Sequence, residues 1–184
     1  MPVAPSSAAV PVATVQGAGV ALEAGFVYTP ASRVLEVRYR VRNDGDAPLA
    51  VFDRGDRHAV ATGRQKAGAI GAPLLQVQGG DASLTHAASP LPRPAPTSPP
   101  TPLAIRLSVG AQTEGRFAFA MPGADAPKRL RWCLGVARFD EGDFSAPETA
   151  GEVELWRASF AVVDRQQLLC TPWFDIAANA FSRQ

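Results

Sequence analysis

Between Leu35 and Arg42 apolar and charged residues alternate without a break, and the run ends in Asn43-Asp44-Gly45-Asp46-Ala47-Pro48. A period of two places Leu35, Val37, Tyr39 and Val41 on one face of a strand and Glu36, Arg38, Arg40 and Arg42 on the other, which describes a half-buried antiparallel sheet. A helix would scatter both sets around its axis, so this stretch limits the chain to a β-rich fold with one wet and one buried sheet face. The turn cluster supplies side-chain acceptors and tolerance of positive φ, and Leu49-Ala50-Val51-Phe52 resumes as a short strand.

The same periodicity extends along the chain. Val20, Leu22, Ala24, Phe26 and Tyr28 share a phase and predict a strand over Val20 to Thr29, paired with its successor from Arg33 to Arg42. Between Arg54 and Gly80 the glycines break the pattern into short pieces, and Ala59-Val60-Ala61 and Leu74-Leu75-Gln76-Val77 are expected as two short strands, with Ala82 to Ala88 a further one. Half of Ser89 to Pro102 is proline, which predicts a long, extended, polyproline-like loop that cannot enter the centre of a sheet. Leu103 to Val109, a strand around Phe117, Phe119 and Met121, Lys128 to Asp140, and Gly151 to Val163 follow, the last with a phase break near Trp156 and Phe160 that suggests a bulge. In Lys128 to Asp140 the face opposite Leu130, Trp132, Leu134 and Val136 carries Cys133, Gly135 and Ala137, small enough to lie beneath a neighbouring segment. Leu168 to Phe181 is compatible with strand, turn or short helix. The sum is an all-β, antiparallel β-sandwich of about eight to nine strands with a long Pro-rich loop and no amphipathic helix.

The 184 residues divide into a flexible Ala/Pro/Ser-rich leader over 1–17 and one domain over 18–184. Residues 1–22 carry no charge, yet Pro2, Pro5 and Pro11 interrupt them, which excludes an intact signal peptide and a membrane span. Such a leader suits the tether that follows a removed signal or lipid-anchor segment, and so suggests membrane tethering through that removed segment and a periplasmic or cell-envelope location; the alternative is cytoplasmic. Cys133 and Cys170 form one disulfide in an oxidising compartment and remain thiols in a reducing one. A net charge of +1, spread along the chain, gives no field for nucleic acid, so the expected partner is another protein.

The run from Arg38 to Leu49 resembles the strand, Asn-x-Gly-Asp-x-Pro turn, strand unit of bacterial immunoglobulin-like β-sandwiches. Over about thirty residues it is also similar to the bacterial intracellular proteinase inhibitor family, which follows the unit with a phenylalanine and a Gly-containing turn, as Phe52 to Gly55 do here. That resemblance implies an immunoglobulin-like fold and, through the inhibitor family, a loop able to occupy a protease cleft.

No catalytic signature is present. Gly-x-Ser-x-Gly is missing, Gly63-Arg64-Gln65-Lys66-Ala67-Gly68 lacks the ending of a phosphate loop, and His58, His86, Cys133 and Cys170 lack paired metal spacing, so no cofactor or metal is expected. The densest polar cluster, Asp53-Arg54-Gly55-Asp56-Arg57-His58, and its echo Asp140-Glu141-Gly142-Asp143 are expected as solvated turns, although together they could offer oxygen ligands to calcium. Trp132 is expected in the core, with Trp156 and Trp173 open to a platform role. Arg93-Pro94-Ala95-Pro96-Thr97-Ser98-Pro99 has the spacing of a polyproline ligand with a basic anchor. The candidate interaction residues are therefore Asp53, Arg54, Asp56 and His58 together with Arg93, Pro96 and Pro99. They fit a non-enzymatic, extracytoplasmic protein-interaction module of a bacterial envelope, with a proteinase inhibitor acting through an exposed loop as the alternative.

Overall fold

The computed structural model describes residues 9–183. In chain order it contains β1 (Val12–Gly17), β2 (Val20–Thr29), β3 (Val34–Asn43), β4 (Leu49–Val51), the short helix α1 (Arg57–Ala61), β5 (Leu74–Gln78), β6 (Asp81–His86) and β7 (Leu103–Leu107). There follow β8 (Gln112–Ala120), β9 (Arg129–Arg138), β10 (Phe144–Ala150), β11 (Val153–Ala158), β12 (Gln167–Cys170), β13 (Phe174–Asp175) and β14 (Ala180–Phe181). Single 3-10 turns occupy Glu141–Asp143 and Phe160–Asp164.

Two sheets enclose the main core. The first is antiparallel, in the order β1-β2-β3-β8. The second is mixed and strongly curled into a half-barrel, in the order β10-β11-β7-β4-β9-β13-β14, with the β5–β6 hairpin and β12 also attached along β9. The inward positions of β2 and β3 alternate as their sequence requires: Leu22, Ala24, Phe26, Leu35, Val37 and Val41 are fully buried and meet Leu84, Leu130, Trp132, Leu134 and Val136 of the other sheet. Removing so many large apolar side chains from water is the dominant stabilising term, on the order of 1.5–3 kcal/mol for each.

β9 is buried on both sides. Leu130, Trp132, Leu134 and Val136 face the main core, whereas Ala137 joins a second cluster with Ala50, Phe52, Ala104, Phe139, Phe144 and Val162. Small residues on that second face admit a covering layer: a Cβ on Gly135 would lie 2.9 Å from the Ala87 backbone and 2.4 Å from Oε1 of Gln166. Cys133 faces Cys170 across the β9–β12 ladder, and the two form a disulfide.

Several expectations are corrected. Val12–Gly17, assigned to the leader, is a strand paired along its length with β2; the part of the leader call over residues 1–8 lies outside the described residues. Ala59-Val60-Ala61 is helical, because Asp56 accepts the Ala59 amide at 2.9 Å and caps a single turn that the local apolar run is too short to oppose. The sheet is not wholly antiparallel: β6 runs parallel to β9 from Asp81↔Arg129 to His86↔Leu134. Gly151 to Val163 is split into β11 and the turn over Phe160–Asp164, and the bulge falls instead in β10, between Ser145 and Glu148. The tail resolves into β12, β13 and β14.

The turn after β3 carries the chain from the first sheet to the second. Asn43 is fully buried there; its Nδ2 donates to the carbonyls of Ala47 (2.9 Å) and Leu107 (3.1 Å), and its Oδ1 accepts the Gly45 amide at 3.0 Å. Gly45 serves close approach rather than positive φ, since a Cβ on it would stand 3.3 Å from the Gly19 backbone.

Candidate functional site

The polar cluster of the sequence and the proline loop come together at the start of β7. Asp56 caps α1 and forms an isolated bridge with Pro102. The Arg57 amide donates to the Thr101 carbonyl at 2.9 Å, the Leu103 amide to Gly55 at 3.0 Å, and Nδ1 of His58 lies 3.2 Å from the Ser98 hydroxyl. At the other foot, Gln166 donates to the Ala88 carbonyl at 2.8 Å and accepts the Ala88 amide at 3.0 Å. Between these feet the crest from Leu91 to Ser98, including Arg93 and Pro96, is exposed, and Pro99 is half-buried. Beneath the loop lies a groove of about 250 Å³ lined in part by Phe52, Leu74, His86, Pro90, Pro92 and Pro102.

Asp53 and Arg54 do not share that surface. Both were expected in a solvated turn, yet Asp53 is fully buried and Arg54 is 8 % exposed. Asp53 accepts from the Tyr39 hydroxyl at 2.6 Å and from Nε of Arg54 at 2.9 Å, and Nη1 of Arg54 donates to the Gly68 carbonyl at 2.6 Å. A buried carboxylate is tolerated only when paired and hydrogen-bonded, and here a guanidinium and a phenol supply both conditions. Burial first, and the Asp53 charge second, push the Tyr39 phenol well above its ordinary range. Gly115, opposite Tyr39 in β8, makes room for that phenol; a Cβ there would lie 2.2 Å from the hydroxyl.

His86 is likewise buried rather than a surface imidazole. Its Nδ1 is 2.9 Å from the indole Nε1 of Trp132 and its Nε2 is 2.7 Å from the Gly71 carbonyl. An indole nitrogen only donates and a carbonyl only accepts, so the two contacts agree on one state: neutral, with the proton on Nε2. Burial holds its pKa below the usual imidazole value, outweighing the opposite pull of its hydrogen bond to the Gly71 carbonyl and, after that, of the Asp53 charge. Trp132 in turn packs at a tilt against Tyr39, with ring centroids 4.6 Å apart, and the Gly71 amide donates to the Asp53 carbonyl at 2.9 Å, so one buried assembly joins β3, the turn after β4, β6 and β9.

Chemically this assembly is occupied. Both nitrogens of His86 and both oxygens of Asp53 are engaged, and among the described residues no hydrogen bond links either imidazole to a carboxylate. Nor does any cluster of three or more His, Cys, Asp or Glu among the described residues suit a metal ion. Asp143, in the second acidic turn, pairs with Arg165 and accepts from Ser159, while Arg138 and Asp140 make a separate pair. The tryptophans do not form a platform: Trp132 is core, Trp156 packs edge-on to Phe139, and Trp173 lies under Arg129 and Arg131.

Sequence reading missed Tyr39, His86 and Trp132 as partners in one network. The signal was present for Tyr39 and His86, since each is a polar-tipped residue in the inward phase of an otherwise apolar strand face. Which carboxylate or carbonyl each would meet depends on contacts remote in sequence. No protein-family model, no curated protein and no solved structure matches this chain.

Proposed function

We propose that this chain is a non-enzymatic protein-interaction module, built on an immunoglobulin-like sandwich, that meets a protein partner through the crest of its proline loop in an extracytoplasmic, bacterial-envelope setting. The observation that carries the reading is the contrast between feet and crest. Ala88 and Pro99 to Leu103 are pinned by hydrogen bonds to Gln166, Gly55 and Arg57, whereas Leu91 to Ser98 stand in solvent. A proline-rich segment held at both ends loses little conformational freedom when it binds, so contacts made by Arg93 and Pro96 are not offset by ordering. The Cys133–Cys170 disulfide supports an oxidising compartment. The passage from β3 to β4, which changes sheets at Asn43 to Pro48, supports the immunoglobulin-like assignment.

A photoreactive residue placed at Pro96 in the producing cell tests the proposal, with Val109, an exposed residue in the turn before β8, as control. A discrete adduct to another protein from Pro96 alone is expected. No adduct from either position, or the same adducts from both, overturns it.

The pinned loop also favours the inhibitor reading, because a loop held at both ends enters a protease cleft with little loss of conformational freedom. A panel of proteases assayed with the parent and with a variant whose residues 91–98 are replaced by glycine and serine separates the two. Inhibition lost with the crest supports a protease as the partner; no inhibition by either protein removes that reading and leaves the interaction module untouched.

A further inference from the structure

The edges of the two sheets are not equally protected. β10 carries Pro147, Glu148 and a bulge; β8 alternates Glu114 and Arg116; and β1 is stitched at its end to β12, where Gln167 bonds the amide and carbonyl of Ala18 at 2.9 and 3.1 Å. Each device blunts an edge against further pairing. β5 has none. Among the described residues it pairs only with β6, and it reads Leu74-Leu75-Gln76-Val77-Gln78, with no charge, no proline and no bulge. Leu74 and Val77 are 59 % and 65 % exposed.

We infer that β5 is a self-association edge, and that its occupant is β5 of a second copy of this chain, running antiparallel about a two-fold axis at Gln76. The hairpin geometry dictates the register. Gly79 and Gly80, both at positive φ, form a two-residue turn, so Gln78 and Asp81 close the ladder as a hydrogen-bonded pair. The alternation of an antiparallel ladder then turns the amides and carbonyls of Leu74, Gln76 and Gln78 toward β6 and those of Leu75 and Val77 outward. An axis at Gln76 sets Leu75 opposite Val77 of the second copy and Val77 opposite its Leu75, so every outward group finds a partner.

Side chains agree with the backbone. Leu75 and Val77 share one sheet face, so the pairing covers Val77 with an aliphatic neighbour, while on the other face Gln76 meets Gln76 and Leu74 meets Gln78. An uncharged strand pairs with itself without like-charge repulsion, whereas an edge adapted to a charged foreign strand would carry the complementary sign. Beyond the five paired residues the register sets the tip of the second hairpin, Gly79 and Gly80, opposite Pro73 and Ala72, where glycines bring no side chain of their own. The inference is independent of the proline crest, which this pairing does not use.

Sedimentation equilibrium of the full chain over a wide concentration range, with two single variants, tests it. The expected result is a concentration-dependent mass approaching twice 19.3 kDa, reduced to one chain by Val77→Lys, whose circular-dichroism spectrum stays that of the parent because the side chain is exposed and whose melting temperature matches the parent's at concentrations where the parent is monomeric. Under mild oxidation Gln76→Cys cross-links across the axis and Gln78→Cys, displaced from its own copy along the strand, does not. A parent that is monomeric throughout, a Val77→Lys protein that associates as the parent does, or equal cross-linking by both cysteine variants overturns the inference; a monomer that binds an extended strand of some other protein does so too.

Discussion

Nδ1 of His86 accepts the indole N–H of Trp132 at 2.9 Å while Nε2 donates to the Gly71 carbonyl, so the imidazole is held neutral by geometry as well as by burial. A second proton would have to sit on Nδ1, pointing at an N–H that cannot accept it. Burial of a histidine in this way makes folding pH-dependent.

The sign follows from the direction of the shift. The folded pKa lies below the ordinary value of 6.5, so as pH falls the unfolded chain takes up the proton first. The stability linked to His86 is fully present above the unfolded pKa and is lost as pH drops below it. His86→Gln can keep both hydrogen bonds, amide oxygen to indole and amide nitrogen to carbonyl, without titrating. Thermal melts from about pH 8 to about pH 5 are expected to show a smaller loss for His86→Gln than for the parent.

Tyr39 and Tyr28 are expected to respond oppositely to loss of the hydroxyl. Tyr39→Phe leaves one oxygen of the buried Asp53 without its donor, at a cost of about 1.5–3 kcal/mol. The Tyr28 hydroxyl is buried without a hydrogen-bond partner among the described residues, so Tyr28→Phe is expected to be neutral or stabilising. Urea denaturation of the two variants beside the parent makes the comparison.

Asp53→Ala removes the anion that holds Arg54 in the interior. An uncompensated buried guanidinium costs about 3–5 kcal/mol, more than Tyr39→Phe, and denaturant midpoints give the order. If Asp53 were the solvated turn residue of the sequence expectation, the loss would fall within about 0.5 kcal/mol.

Gly115→Ala is expected to be destabilising by about 1–3 kcal/mol although β8 is an edge strand and alanine suits its backbone. The added methyl meets the Tyr39 hydroxyl and must push it off Asp53. In the double variant Gly115→Ala, Tyr39→Phe the ring carbon 2.3 Å from the added methyl still clashes, but the hydroxyl–Asp53 hydrogen bond is lost only once, so the combined loss is smaller than the sum of the two separate values.

Reduction of Cys133–Cys170, which are separated by 37 residues, removes the covalent tie between β12 and β9 and leaves the strands held by their ladder and packing. Loop-closure entropy sets the expected loss at about 4 kcal/mol. Melting with and without reductant, against Cys133→Ser, Cys170→Ser, checks it; equal melting temperatures would mean the link contributes nothing.

What was legible in the sequence was what local pattern controls. The alternation in β2 and β3, the small face of Cys133, Gly135 and Ala137, and the exclusion of the proline segment from both sheets all appear where residue chemistry places them, although that segment bends at residues 93–94 and 97–98 and is not evenly extended. What was not legible depended on partners remote in the chain. Val12–Gly17 shares the uncharged, small-residue composition of the leader and becomes a strand because β2 offers it an edge, and Asp56 converts Ala59 to Ala61 into a helical turn through one side-chain oxygen. Asp53-Arg54-Gly55-Asp56 has the composition of a wet turn; half of it is interior because Tyr39 waits on the opposite sheet. Of the predicted contact residues, Asp56 and His58 lie beside the proline loop that carries Arg93, Pro96 and Pro99, and Asp53 and Arg54 belong to the core.

Nitrogen NMR of the His86 imidazole tests most directly whether the charged turn and its histidine form a locked structural network rather than a chemical site. The account predicts a neutral ring with the proton on Nε2 that, in the folded chain, takes up a second proton only below the usual imidazole pKa. A ring that titrates at the ordinary 6.5 in the folded protein, or one that carries its proton on Nδ1, would contradict it.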